Sequence, residues 1–433
     1  KTLVESVCSK IKAPGWGPLR VRRISKASVL LAASLLLVVS HSGASAIPYR
    51  SSFMEEPERC DSEYYLDLLT MRFDRDWRDL WDGTDNAFRL RFGSLNVEQW
   101  NLQESLKFSA RISRSFRVRY WMERYHALCE QAGERNEIEV ELNACGYLYL
   151  SLLVEPAFWK RENDIGIGLQ HRRAIDRYVR FIVRVRDFAN NFAYRHGDNI
   201  EGEENLFTRQ PVEAVVEARE KAGSSFRFGV FGSVTNRWER EYRFIEQPQQ
   251  DYIESRFVRD ASCWLEYDLC RSLRMDIDLR TAVFFLDRRF AGAREEKHRV
   301  REFLPRLWWY PVSSPRLAMC AGIQLRRERW SGLGEVTGSF RKDEFLPFLL
   351  IQTRLSARQM IEIGYLADRY KSEREGFDRG NDTRWENRVK LAWEIRLRGA
   401  SRLRVIETVD LDREDWGQFS VHDHFFVMMF LGF

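Results

Sequence analysis

Hydrophobic and charged residues alternate with a period of two along much of the chain. Val389, Leu391, Trp393, Ile395 and Leu397 fall on one side of an extended segment, and Arg388, Lys390, Glu394, Arg396 and Arg398 on the other. The same split sets Leu317, Met319, Ala321, Ile323 and Leu325 against Arg316, Gln324, Arg326 and Glu328. It sets Leu273, Met275, Ile277 and Leu279 against Arg274, Asp276, Asp278 and Arg280. Successive side chains of a strand point to opposite faces, so each run predicts a β-strand of about ten residues with one apolar and one ionic face. Earlier runs are Phe116 to Tyr120 around Arg117 and Arg119, Ile138 to Leu142 among Glu137, Glu139 and Glu141, and Val179 to Val185 around Arg180, Arg184 and Arg186.

Polar breaks separate these runs near Ser113, Cys145, Arg173, Ala222, Cys270, Ser314, Ala357 and Ala400. Between breaks the pattern predicts two strands joined by a longer charged segment, such as Asn190–Gln210, Ser331–Lys342 or Lys371–Thr383. Counting two strands per interval predicts an all-β chain, a transmembrane antiparallel β-barrel of 16 to 18 strands; the stretch Phe226–Glu266 alternates poorly and leaves the number open. A barrel reconciles 31% charged residues and a mean hydropathy of −0.46 with a membrane, because only every second residue of each strand must face lipid.

At the C-terminal end, Phe425, Val427, Met429, Leu431 and Phe433 share one face of a last strand. An apolar strand left as an open edge invites aggregation unless it pairs and its apolar side meets lipid. The pattern resembles the C-terminal strand of bacterial outer-membrane β-barrels, in which it serves as an assembly signal. That resemblance implies a bacterial outer-membrane location, contact with outer-membrane lipid and lipopolysaccharide, dealings with the barrel-assembly machinery, and a porin-like function.

The other end predicts a leader. Ser28–Ser40 is an apolar run too short to span a bilayer as a helix; it follows Arg20, Arg22, Arg23 and Lys26 and precedes Ala44-Ser45-Ala46, a small-residue cleavage pattern. The expected organisation is 1–46 as signal peptide, 47–84 as an N-terminal periplasmic or plug segment in which Glu63–Trp81 is a possible helix, and 85–433 as the barrel. The leader holds seven of the 69 basic and one of the 64 acidic residues. The remainder is therefore near neutrality, and the overall charge of +5 gives no support to nucleic-acid binding. Six cysteines remain (Cys60, Cys129, Cys145, Cys263, Cys270 and Cys320) without metal-ligand spacing, so no metal or other cofactor is expected. Cys263 is expected to face lipid and Cys320 the lumen.

The inward face carries the candidate chemistry. The predicted lumen arginines are Arg89, Arg91, Arg117, Arg119, Arg180, Arg184, Arg186, Arg274, Arg280, Arg326, Arg388, Arg396, Arg398 and Arg404, with Arg227, Arg316, Arg354 and Arg402 beside them. Acidic residues interrupt this set at Glu139, Glu141, Asp276, Asp278, Glu362, Asp368, Glu394 and Asp410. Guanidinium groups two residues apart on a strand can hold carboxylates or phosphates bidentately, so an excess of arginine would favour small anionic solutes. The opposing expectation is that charges on neighbouring strands satisfy one another and nearly close the barrel. An Arg-rich lumen in about 18 strands also resembles the alginate-export family, which implies a gated exporter of an acidic polysaccharide; a non-conducting structural or adhesive barrel is the further alternative. No G-x-S-x-G, H-E-x-x-H or phosphate-binding loop occurs, so no catalytic residues are expected. Porin-like barrels are often trimers, which makes a homo-oligomer possible.

Overall fold

The computed structural model describes residues 84–94, 100–127, 130–155, 164–174, 177–185, 203–244, 247–290, 294–314, 316–333, 338–375, 381–412 and 422–433. The expected leader and the segment 47–84, apart from Thr84, lie outside the described residues, as does Arg186. The strands are β1 (Ala87–Ser94), β2 (Trp100–Arg111), β3 (Phe116–Ala127), β4 (Glu130–Cys145), β5 (Leu148–Glu155), β6 (Asp164–Ala174), β7 (Arg177–Val185), β8 (Glu203–Arg209), β9 (Val212–Ala222) and β10 (Phe226–Thr235). They continue as β11 (Trp238–Phe244), β12 (Tyr252–Cys270), β13 (Leu273–Phe290), β14 (Arg294–Trp309), β15 (Leu317–Leu333), β16 (Gly338–Arg354), β17 (Gln359–Glu375), β18 (Asp382–Arg396), β19 (Arg402–Asp410) and β20 (His422–Gly432).

Every pairing is antiparallel, and β20 pairs with both β19 and β1, so the sheet closes on itself. Two staves are each broken in two. β9 pairs with β10 and β8 with β11, which makes β8 and β9 one interrupted stave and β10 and β11 the next, for 18 staves in all. The interruptions sit side by side: the Asn236 amide N–H donates to the Val212 carbonyl, the Val212 N–H donates to Asn236 Oδ1, and Asn236 Nδ2 donates to the Gln210 carbonyl. Pro211, between the halves of the first stave, has no N–H to give the ladder. This break is why the alternation is poor after Phe226.

The eight polar breaks fall where consecutive strands end at one rim, in short intervals of sequence at 112–115, 146–147, 175–176, 223–225, 271–272, 310–316, 355–358 and 397–401. Gly223 (φ 72°) and Gly399 (φ 66°) take left-handed backbone there, which a side chain resists. The strands flanking the longest intervals of sequence between strands, 186–202 and 411–421, end at the opposite rim.

Strands β12 to β18 depart from the expected length: they run 15 to 19 residues, where a tilted crossing needs about 9–11. Their outer side is apolar only in the half nearer the short turns. On β15 the outward residues are Leu317, Met319, Ala321, Ile323 and Leu325, followed by Arg327 and Arg329. On β17, Ile361, Ile363, Tyr365 and Ala367 give way to Arg369 and Lys371. The strands outrun the lipid and continue hydrogen-bonding beyond it. The charged stretches 203–209, 331–333, 338–342, 371–375 and 382–383, expected as loops, are therefore strand.

Candidate functional site: an ion-paired inner wall

Strand parity places every second residue inside, and the inner wall is rich in both signs of charge. On β3 to β7, Arg119 bridges Glu139 (3.1 Å) and Glu141 (3.1 Å). Glu141 also accepts from Arg172 (2.6 Å), Glu139 from Arg180 (2.5 Å), and Glu137 lies 3.3 Å from Arg184. Several of these pairs join strands that are not neighbours. Arg180 and Arg184 on β7 reach β4 because the intervening inner positions are small: Ser151 on β5, and Gly166 and Gly168 on β6. A Cβ on Gly166 would come within 2.9 Å of Arg184 Cγ, and one on Gly168 within 3.1 Å of Ser151 Oγ. The small residues make a valley in the wall that the long arginines bridge.

A second network spans β17 to β19. Glu362 accepts from Lys390 (2.7 Å), Arg404 (3.1 Å) and Gln352 Nε2 (2.7 Å); Arg404 crosses Ala392, which stands opposite Glu362 in the register. Glu394 lies 3.3 Å from Arg402 and 3.4 Å from Arg396. A third joins His298 Nε2 to Glu328 (2.7 Å) and Arg326 to Glu328 (3.2 Å) and Glu344 (3.9 Å). Arg306 pairs with Asp278, and Arg388 with Glu386 and Asp368.

Within most pairs the arginine is the more open partner. The Arg119 side chain is 25% exposed against 6% for Glu139 and 3% for Glu141. Arg227 is 34% exposed over Glu266 at 2%, and Arg396 32% over Glu394 at 2%. Arg256 and Arg288 likewise cover a buried Glu254. The order is reversed where Arg117 meets Asp85, Arg184 meets Glu137, Arg274 meets Asp268, Arg306 meets Asp278, Arg326 meets Glu328 and Arg388 meets Glu386, and in the pairs of the fully buried Arg404 with Glu362 and Glu394. At Glu139, Glu141, Glu254, Glu266 and Glu394 the carboxylate therefore lies behind a more open guanidinium group.

Among the expected lumen arginines, Arg89 (donating to Ser105 Oγ at 3.0 Å), Arg91, Arg326, Arg388 and Arg404 are buried on the inner side. Arg117, Arg119, Arg180, Arg184 and Arg280 are half-buried on inward positions. Arg274 sits at the short-turn rim, 2.7 Å from Asp268, and Arg396 is the last residue of β18. Arg398 and Arg316 are exposed in short connections, and Arg354 is exposed where β16 ends. Strand alternation does not govern Arg398 and Arg316, which lie outside the strands, whereas Arg354 keeps the inward parity of β16 at its exposed end. Phe425, Val427, Met429 and Leu431 take the outward positions of β20, and Phe433 follows the strand, its N–H donating to the Asn86 carbonyl.

The inner wall is less uniformly ionic than the alternation implies. Leu304, Trp308, Cys320, Leu346, Phe348, Leu350 and Leu366 form one apolar cluster, and Ala87, Ala392, Ile406, Phe426, Met428 and Phe430 a second at the seam where the barrel closes. The signal was present as runs apolar at every position, Phe345–Ile351 and Phe425–Leu431, which read as strands covered on both faces. Cys320 lies fully buried inside and Cys263 takes an outward position on β12. No group of three or more metal-ligating side chains occurs among the described residues.

A closed, even-staved antiparallel barrel with an apolar outer belt and charged interior is a transmembrane β-barrel of the bacterial outer-membrane kind. No protein-family model matches the chain, and no curated protein does. Among solved structures it is similar to OccAB3 of Acinetobacter baumannii (9% identity, TM-score 0.42, covering 80% of this chain and 98% of that one). It is also similar to OpdK of Pseudomonas aeruginosa (11%, 0.41, 80% and 97%), and to OccK2 of the same organism, solved in complex with glucuronate (10%, 0.40, 80% and 97%). Likeness at this level assigns no activity, which has to come from the wall itself.

Proposed function

We propose that the barrel is a porin-like channel for passive diffusion of small anionic solutes, acidic sugars included. The observation that carries this reading is the exposure order at Arg119, Arg227, Arg256, Arg288 and Arg396, where a guanidinium group is the more open partner and a buried carboxylate lies behind it. An entering carboxylate meets arginines that are already held in place. It can accept their remaining N–H donors while each buried Glu keeps its own contact, so no charge is stranded during passage. A cation meets the same guanidinium groups and is repelled. The outward apolar face of β20 serves as the signal to the assembly machinery on this reading.

The test is the reversal potential under a KCl gradient of Arg119→Gln combined with Arg227→Gln and Arg396→Gln. Loss of three inward guanidinium groups shifts the reversal potential toward that of potassium, with the barrel intact. An unchanged potential refutes the role given to these residues. A second reading, a barrel that conducts nothing, is favoured by Arg404, Lys390, Phe426 and Phe430, all fully buried on the inner side; silence from a folded barrel selects it.

A further inference from the structure

One group of outward arginines has no ion-pair partner among the described residues. Beyond the apolar belt on β14, the outward residues Leu307, Pro305 and Phe303 are followed by Arg301 and Arg299; on β15, Ile323 and Leu325 are followed by Arg327 and Arg329. The register sets Arg301 opposite Arg327, Arg299 opposite Arg329, and Arg329 opposite Arg341 of β16. Like charges directly opposite on antiparallel strands, with Cα atoms about 4.5–5.5 Å apart, destabilise a sheet. Arg327 and Arg341 are relieved by Asp343, at 2.5 and 2.6 Å. Arg299, Arg301 and Arg329 have no ion-pair partner among the described residues. The inner wall, by contrast, matches nearly every arginine with an acid.

A concavity of about 680 Å³ opens at this place, with Lys297, Arg299, Arg329 and Arg341 on its wall; two carboxylates also line it, Glu373, which pairs with Arg341 (3.6 Å) and Lys371 (2.7 Å), and Glu375. Its height is diagnostic. The cluster begins one outward residue past Leu325 and Phe303, where a lipid-facing surface leaves the acyl region and meets headgroups, and it lies toward the long-connection rim, which outer-membrane barrels turn to the cell exterior. Guanidinium groups about 5 Å apart across strands and about 6.6 Å apart along them suit phosphate groups on a rigid carrier.

We propose that the outer surface of β14–β16 just past the apolar belt binds a phosphorylated glycolipid of the outer leaflet, lipopolysaccharide in such a membrane, with Arg299, Arg301 and Arg329 holding its phosphates. The acyl chains lie on Phe303, Leu325 and Phe345, and the phosphates neutralise the opposed arginines. The site faces away from the lumen, so it stands whether or not the barrel conducts.

The experiment is native mass spectrometry of the purified barrel in detergent, titrated with bis-phosphorylated glycolipid, with the same lipid after phosphatase treatment, and with inorganic phosphate as competitor. The expected result is about tenfold weaker binding of the dephosphorylated lipid and a comparable loss for Arg299→Gln with Arg329→Gln, while millimolar inorganic phosphate leaves the lipid bound. Equal binding of the two lipids overturns the proposal, as does equal binding by wild type and double variant. Displacement by inorganic phosphate also overturns it, in favour of a free-anion site. If the double variant does not refold, the wild-type comparison of the two lipids and the single variant Arg301→Gln decide the matter.

Discussion

Closure of the barrel rests on one tight approach. Gly93 of β1 stands opposite Phe426 of β20 in the ladder that closes the barrel, and a Cβ there would sit 2.0 Å from the Phe425 carbonyl oxygen and 2.8 Å from Phe426 Cα. Both atoms are backbone, and the nearer is about 1.5 Å inside the ~3.5 Å at which heavy-atom contact becomes attractive, so no rotamer change relieves the clash. Gly93→Ala must push the strands apart. Overpacking of this kind costs about 1–3 kcal/mol where side chains can adjust, and parting two strands in lipid adds the several kcal/mol of each backbone group left unsatisfied. Gly146→Ala is the matched control: its φ of 54° also disfavours a side chain, but nothing lies within 4 Å of the new methyl. The assay is the heat-dependent mobility shift of the folded barrel on SDS gels, with urea midpoints in micelles. Gly93→Ala is expected to lose the compact band at a markedly lower temperature than wild type, with Gly146→Ala between them. Equal midpoints for Gly93→Ala and wild type would refute the packing argument for the seam.

Replacing Glu362 by Leu strands Lys390 and Arg404 on a buried wall, which is expected to cost about 3–5 kcal/mol in urea unfolding; a loss under 1 kcal/mol would mean that water reaches these groups. Leu391→Arg, on the lipid side of β18, is expected to cost about 2–4 kcal/mol, whereas Arg327→Leu, past the belt, changes stability far less; equal effects would move the membrane boundary. Partial burial opposes ionisation of Asp343, but hydrogen bonds from Arg327 and Arg341 hold its carboxyl below the ordinary range. Its contribution is present above the unfolded carboxylate value and lost as pH falls through the depressed one, so Asp343→Asn should flatten that acid limb of a stability profile measured without glycolipid. An acid limb identical to wild type would show that the pairing adds nothing.

The staves were legible wherever lipid lay outside and charge inside, because that contrast imposes a period of two; it found all eight short turns, from Ser113 to Ala400. It failed where the contrast disappears. Beyond Leu325 and Ala367 the outer face is as polar as the inner, so continuing strand looked like loop. At Phe345–Ile351 and Phe425–Leu431 both faces are apolar, and two inner clusters went unnoticed. The sequence shows which arginines could be paired, but pairing itself depends on register and on small neighbours. Nothing in the spacing of Arg180 and Glu139 reveals that Ser151 and Gly168 clear the way between them, and Arg299 and Arg329 show their isolation only once β14 and β15 are aligned.

On the proposed function, ion pairs of nearly balanced charge present guanidinium groups to a conducting lumen. Single-channel recording of the refolded barrel in a planar bilayer under a KCl gradient tests it most directly. Steady conductance with a reversal potential on the chloride side is the predicted result. A folded barrel that stays silent, or that prefers potassium, would contradict it.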